Sequence, residues 1–127
     1  MNNRYFSIHK SNGDFTWASE EILNVTGYDN IEIIDKNPYN YIFKKDEARV
    51  LKKHLAGIWA ISEKNIQDLK FRWEKKDKSK VWVQAYLTKY KDGLICFTIK
   101  MKWWEILKFK IKLFFETRYN KSVIIEM

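Results

Sequence analysis

Three consecutive segments in the second half of the chain alternate between apolar and polar residues, and this pattern constrains the fold more than any other. Leu69, Phe71 and Trp73 interleave with Lys70, Arg72 and Glu74. Val81, Val83, Ala85 and Leu87 interleave with Trp82, Gln84, Tyr86 and Thr88, and a third run extends from Leu94 to Met101. Successive side chains of a strand point to opposite sides, so a period of two predicts a sheet with one packed and one solvated face. The linkers, Lys75–Lys80 and Tyr90-Lys91-Asp92-Gly93, are short enough for hairpins, which makes the three strands antiparallel.

The first half begins with a looser alternation, Tyr5 to His9, followed by Ser11-Asn12-Gly13-Asp14. Asn-Gly is a strong hairpin signal because the favoured two-residue turn needs positive φ at both central positions. Phe15-Thr16-Trp17-Ala18 then reads as the returning strand. Ser19 is expected to cap a helix with Glu20 and Glu21 in its first turn, running through Ile22, Leu23 and Val25 to Gly27. Residues 28–43, with the single proline Pro38, suggest short helical turns. A longer helix starts near Lys45-Asp46-Glu47, where Val50, Leu51, His54, Leu55 and Ile58 recur at the spacing of one helical face. The expected order is strand, strand, helices, strand, strand, strand.

A length of 127 residues suits one domain, and 46% apolar with 17% aromatic residues is ample material for its core. The single cysteine, Cys96, makes no intramolecular disulfide and favours a reduced, cytoplasmic setting. No signal-peptide pattern is visible at the start, and no window approaches the ~18–20 uninterrupted apolar residues of a membrane span. Two distant histidines, one cysteine and no glycine-rich phosphate loop leave no triad, zinc or nucleotide signature. Asp46 and Glu47 are read as first-turn helix residues rather than an acid/base pair. The chemistry points to binding, not catalysis.

Several stretches resemble the PAS family in the same order. Phe15-Thr16-Trp17-Ala18-Ser19 followed by Ile22 to Gly27-Tyr28 is similar to its strand-to-helix signature. Ile34 to Ile42, then Asp46-Glu47-Ala48-Arg49-Val50, resembles the approach to its long helix. Phe71 to Ser79, with Val81-Trp82-Val83, resembles its late hairpin. Lys78 stands where the family pattern has a turn glycine. The resemblance covers residues 4–101 and leaves 102–127 as a C-terminal amphipathic extension. It implies an α+β fold: a five-stranded antiparallel sheet with short helices inserted between strands 2 and 3, plus a C-terminal helix.

The resemblance further implies a pocket between the helices and the sheet, where relatives hold haem, flavin or a small metabolite. Lining candidates are Leu51, Leu55 and Ile58 on the helix and Phe71, Trp73, Val83 and Ala85 on the sheet. The number of large side chains favours a core filled without a cofactor, with flavin or haem left open. His54 shares the helical stripe and is the candidate axial ligand for haem iron; the alternative is a histidine at the stripe edge. No other metal site is suggested. Cys96, in the last strand, is not placed for a flavin adduct.

The net charge is +8, and residues 100–127 hold seven basic against three acidic side chains. Within this extension Leu107, Phe109, Ile111 and Leu113 alternate with lysines as a strand would, yet Trp103, Trp104, Leu107, Ile111 and Phe114 also share one side of a helix. Leu, Lys and Glu favour the helix. Ser122–Met127 reads as a short strand or a frayed end. An exposed aromatic helix drives association, so it is expected to pack on its own sheet, pair with a second copy as a homodimer, or bind a partner protein. A membrane surface or nucleic acid is the less favoured partner. The sequence is thus read as a stand-alone, non-catalytic sensory or interaction module, a basic scaffold at a membrane surface or nucleic acid being the alternative.

Overall fold

β1 (Arg4–His9) and β2 (Phe15–Ala18) form one hairpin, while β3 (Gln67–Glu74), β4 (Lys80–Tyr90) and β5 (Gly93–Lys100) form a meander. β5 then pairs with β1, so the sheet order is β2-β1-β5-β4-β3 and every pairing is antiparallel. Between β2 and β3 lie α1 (Ile22–Thr26), α2 (Asn30–Ile33), a 3-10 turn at Pro38–Asn40 and α3 (Lys44–Gly57); α4 (Trp103–Glu126) follows β5. This is the expected α+β architecture. The computed structural model describes residues 3–57 and 66–126.

The period of two decides which side chains enter the core. On β3, Gln67, Leu69, Phe71 and Trp73 are buried, and the residues between them are half-exposed. Phe15, Ile22, Val25, Ile33, Val50 and Val83 close over the same interior. Trp73 anchors it, stacking on Tyr41 at 5.2 Å and meeting Phe15 edge-on at 6.4 Å.

Two local expectations are corrected. The first hairpin forms, but only Gly13 has positive φ, because the loop spans Lys10–Asp14 and is closed by Gly13 N–H to Lys10 C=O and Lys10 N–H to Asp14 C=O. That is the longer turn with one left-handed residue, not the two-residue form. Ser19 does not cap α1. Its hydroxyl accepts from the Phe6 backbone N–H at 3.1 Å, so it extends the β1–β2 pairing, and the helix begins later, at Ile22. Gly27 ends it as expected, at φ 76° with its N–H on the Leu23 carbonyl.

The tail is a helix, and it runs to Glu126 through residues read as a short strand or a frayed end. The Met101 N–H bonds the Trp82 carbonyl at 2.9 Å, which fixes where α4 leaves the sheet.

A buried carboxylate sets how α3 docks. Asp46 Oδ2 accepts from the Arg72 backbone N–H at 2.8 Å and from Nε at 2.9 Å; Oδ1 accepts from Nη2 at 2.7 Å. Burial raises the Asp46 pKa, but the Arg72 hydrogen bonds and the charges of Arg72 and Arg49 outweigh it and hold it below the ordinary carboxylate value. Removing one partner strands the other. We expect Asp46→Asn to cost about 2–3 kcal/mol, somewhat less than a fully buried pair because Arg72 keeps some contact with water. A urea-denaturation midpoint within experimental error of the parent's would refute this.

Lys78, the residue in place of a turn glycine, takes the left-handed backbone at φ 75°. The loop stays as a glycine would shape it because Asp77 accepts from the Ser79 N–H at 2.9 Å. Since that conformation costs a residue with a Cβ roughly 1–2 kcal/mol, Lys78→Gly should stabilise the protein by about 0.5–1 kcal/mol after glycine's entropy cost. Thermal unfolding would show it; a lowered melting point would contradict it.

Candidate functional site

The inner face of the sheet and the covering helices border a partly open cavity of about 80 Å³. One wall is apolar: Val50 from α3, with Leu69, Phe71, Trp73, Ala85 and Leu87 from the sheet. The surface the cavity presents is almost wholly apolar, but Tyr5, Ser7 and His9 of β1 lie beside Cys96 and Thr98 of β5 on the same inner face and contribute its few polar atoms. They lie on the same face because the antiparallel register sets Tyr5 against Thr98 and Ser7 against Cys96.

These polar groups form a chain. His9 Nδ1 lies 2.8 Å from the Gly13 carbonyl, which can only accept, so Nδ1 carries the proton. Nε2 is then the acceptor, and the Ser7 hydroxyl donates to it at 2.7 Å. Ser7 also contacts the Cys96 thiol, whose sulfur is 3.4 Å from the Thr98 hydroxyl, and Tyr5 is the register partner of Thr98. Burial keeps each group neutral. It pushes the Cys96 thiol up to about 11, raises the Tyr5 hydroxyl, and lowers His9 against the opposing pull of the Gly13 bond and the Asp14 charge.

A serine donating to a histidine is also how a nucleophile meets its base. Here β1 is paired on both sides, with β2 and β5, so its backbone N–H groups are committed to the sheet rather than turned inward as oxyanion donors. Among the described residues no cluster of His, Cys, Asp and Glu suits a metal ion.

The residues singled out from the sequence fall into three groups. His54, Phe71, Trp73 and Ala85 line the cavity; Val83 is fully buried beside it without lining it. Leu51 and Leu55 do not line it: they are 40% and 56% exposed, because docking Asp46 and Val50 inward turns them towards solvent. Ile58 lies outside the described residues. Ser7, His9 and Thr98 were missed because polar residues in a strand read as surface positions. Their signal was positional, since Tyr5, Ser7 and His9 share the parity of an inward face.

His54 donates Nδ1–H to Gln67 Oε1 at 2.6 Å, and Gln67 in turn donates to the Lys53 and His54 carbonyls. That leaves Nε2 as the tautomer a haem ligand would need. The described cavity of about 80 Å³ is smaller than the ~300 Å³ or more typical of pockets for ligands of the size of haem or flavin.

On α4, Trp103, Trp104, Leu107, Ile111 and Phe114 do not pack on the sheet as one alternative held; each is at least half exposed. Phe109 takes that place, its ring 5.8 Å from Trp82, because the Met101 anchor fixes the rotation of the helix.

A mixed helical cover over a five-stranded antiparallel sheet, ordered 2-1-5-4-3 around an internal cavity, defines a class of small sensory and interaction domains. A family model described as the PAS fold matches residues 15–101, and the chain belongs to that family. The PAS-B domain of Cycle from Drosophila melanogaster, solved with bound ethylene glycol, is similar to it at 20% identity and a TM-score of 0.68, covering 76% of this chain and 99% of that one. A tryptophan-to-alanine variant of that domain, solved with bound glycerol, gives the same values. A PAS domain from Colwellia psychrerythraea is 10% identical with a TM-score of 0.66, covering 77% of this chain and 86% of that one. No curated protein matches the chain. Among the described residues, no helix is long and apolar enough to cross a membrane.

His9 makes the stability pH-dependent. Unfolded, it binds a proton near its ordinary pKa of 6.5; folded, burial resists that proton. Its contribution is therefore intact above that pH and is lost as the pH falls through it, by up to ~1.4 kcal/mol per pH unit. Urea midpoints should drop between about pH 7.5 and about pH 5.5, and His9→Gln should reduce the drop. An equal drop in both proteins would assign it elsewhere.

Proposed function

We propose that this chain is a non-catalytic sensory module whose cavity takes one small, uncharged ligand with a hydrogen-bond acceptor. The observation that carries the reading is Trp73. Its indole N–H is buried and finds no acceptor among the described residues, although the ring lines the cavity. An unmet buried donor costs about 1–3 kcal/mol, and an acceptor in the cavity would recover it. Size and charge narrow the class. The volume of about 80 Å³ is well below the ~150 Å³ void that takes a benzene ring. The lining is mostly apolar, and its few hydroxyl, thiol and imidazole groups bring no counter-ion among the described residues, so an ionised ligand would lose its hydration uncompensated.

A short alcohol or polyol meets these conditions; the Cycle PAS-B domain was solved with ethylene glycol and its tryptophan-to-alanine variant with glycerol. Occupancy is relayed along β5, which lines the cavity with Cys96 and Thr98 and leads directly into α4. The reading favours output through contacts of α4.

Titration with ethylene glycol and glycerol, followed by the Trp73 indole resonance in nitrogen-15 NMR spectra, tests this. The peak should move saturably, and Ala85→Leu, which fills the cavity, should abolish the shift while leaving the fold intact. A Trp73 resonance that stays still, or that moves equally in Ala85→Leu, would refute the cavity as the site.

A further inference from the structure

Projected down its axis at 3.6 residues per turn, the described part of α4 has two apolar arcs. Ile106, Phe109 and Leu113 form the first, and it meets the domain: Phe109 lies against Trp82, with the Arg49 guanidinium 5.2 Å from its ring. The second arc holds Trp103, Trp104, Leu107, Ile111, Phe114 and Phe115, each between 50% and 72% exposed. Lys110 borders it on one side, Lys108 and Lys112 on the other, and all three are exposed. Lys102 adds a cation above the Trp104 ring at 5.1 Å. The two carboxylates of this stretch fall on the opposite side of the helix. Glu105 accepts from the Lys102 N–H at 3.0 Å, and Glu116 is 4.0 Å from Lys112.

We propose that this arc seats α4 in the plane of a membrane surface that carries anionic lipid. Charge decides between that occupant and a second copy of the chain. Two copies meeting arc to arc would bring lysine rims against lysine rims, with only the Glu116 contact to Lys112 to relieve them among the described residues. Anionic headgroups meet both rims at once. The apolar arc then enters the boundary between headgroups and acyl chains, the tryptophans sit at the level they favour, and the lysine stems extend to keep their charges in the headgroup layer. The helix lies on the surface and does not span it. This inference stands on α4 alone and is independent of the cavity and its ligand.

Co-sedimentation of the full chain with vesicles tests it, comparing phosphatidylcholine alone with phosphatidylcholine containing phosphatidylglycerol. Binding should require phosphatidylglycerol and weaken as salt shortens the screening length from ~8 Å to ~3 Å. Replacing Lys108, Lys110 and Lys112 together by Gln should lower affinity roughly a hundredfold. Leu107→Ser with Ile111→Ser should abolish binding while the thermal melt of the domain is retained. Failure to bind, equal binding to both vesicles, or unchanged binding by the lysine variant would each overturn the proposal. So would a lipid-free dimer, seen by sedimentation velocity, that Leu107→Ser with Ile111→Ser dissociates: the arc would then belong to a second copy.

Discussion

The junction of Asp46 with Arg72 is the constraint on which the rest of the molecule depends. β3 is an edge strand, and an edge left open presents unpaired backbone groups that invite association. Here the segment leading into α3 covers it. Ile42 bridges Trp73, the Phe43 N–H bonds the Arg72 carbonyl, and the Glu74 N–H bonds the Tyr41 carbonyl. One turn later Asp46 grips Arg72 by side chain and backbone, and Arg49 donates to the Lys70 carbonyl at 2.8 Å. Strand and helix are thus held by hydrogen bonds whose directions permit one rotation of α3, unlike apolar contact, which would tolerate several.

That rotation explains what was legible in the sequence and what was not. The strands were legible because alternation reports directly on two faces, and Phe71, Trp73 and Ala85 line the cavity as their parity required. The helix was misread by part of a turn. A stripe of Val50, Leu51, Leu55 and Ile58 looks like a packing face when only apolar residues are counted, but the true face is centred on a carboxylate. Its partner, Arg72, is twenty-six residues away, so no local pattern could show that Asp46 would be buried. The polar residues of the lining were hidden as well. Ser7 and His9 satisfy each other within β1, and Thr98 meets Cys96 within β5, so only the inward parity of these positions could have marked them.

The wall also shows how a small domain keeps a polar interior without charge. Three groups of this wall titrate, Tyr5, His9 and Cys96, and burial disfavours the charged form of each. The order of donation follows from its end: the Gly13 carbonyl accepts, His9 is turned to donate there, and Ser7 must donate to His9. On the proposed reading, a ligand in this space would meet a fixed set of donors and acceptors, with Trp73 supplying a donor that no described residue uses. Selectivity in so small a volume rests on matching hydrogen bonds more than on filling space, because a site that leaves a buried polar group unpaired rejects the wrong molecule strongly.

Cavity and helix are joined by the shortest path the topology offers. Cys96 and Thr98 face inward on β5, Met101 is pinned to Trp82, and Lys102 alone separates it from the first residue of α4. Phe109 returns to the ring of the residue whose carbonyl holds Met101, so both ends of the connection bear on Trp82 of β4. On the proposed readings, a ligand changes the outward helix only by as much as it binds one setting of β5 better than another, and a surface that holds α4 exerts the same bias in reverse. A differential of 1.4 kcal/mol, about that of one well-made hydrogen bond such as an acceptor for Trp73, would be worth roughly a factor of ten in that balance. The coupling this fold can carry is therefore set by the polar groups in the cavity, while the apolar core holds the frame in which they act.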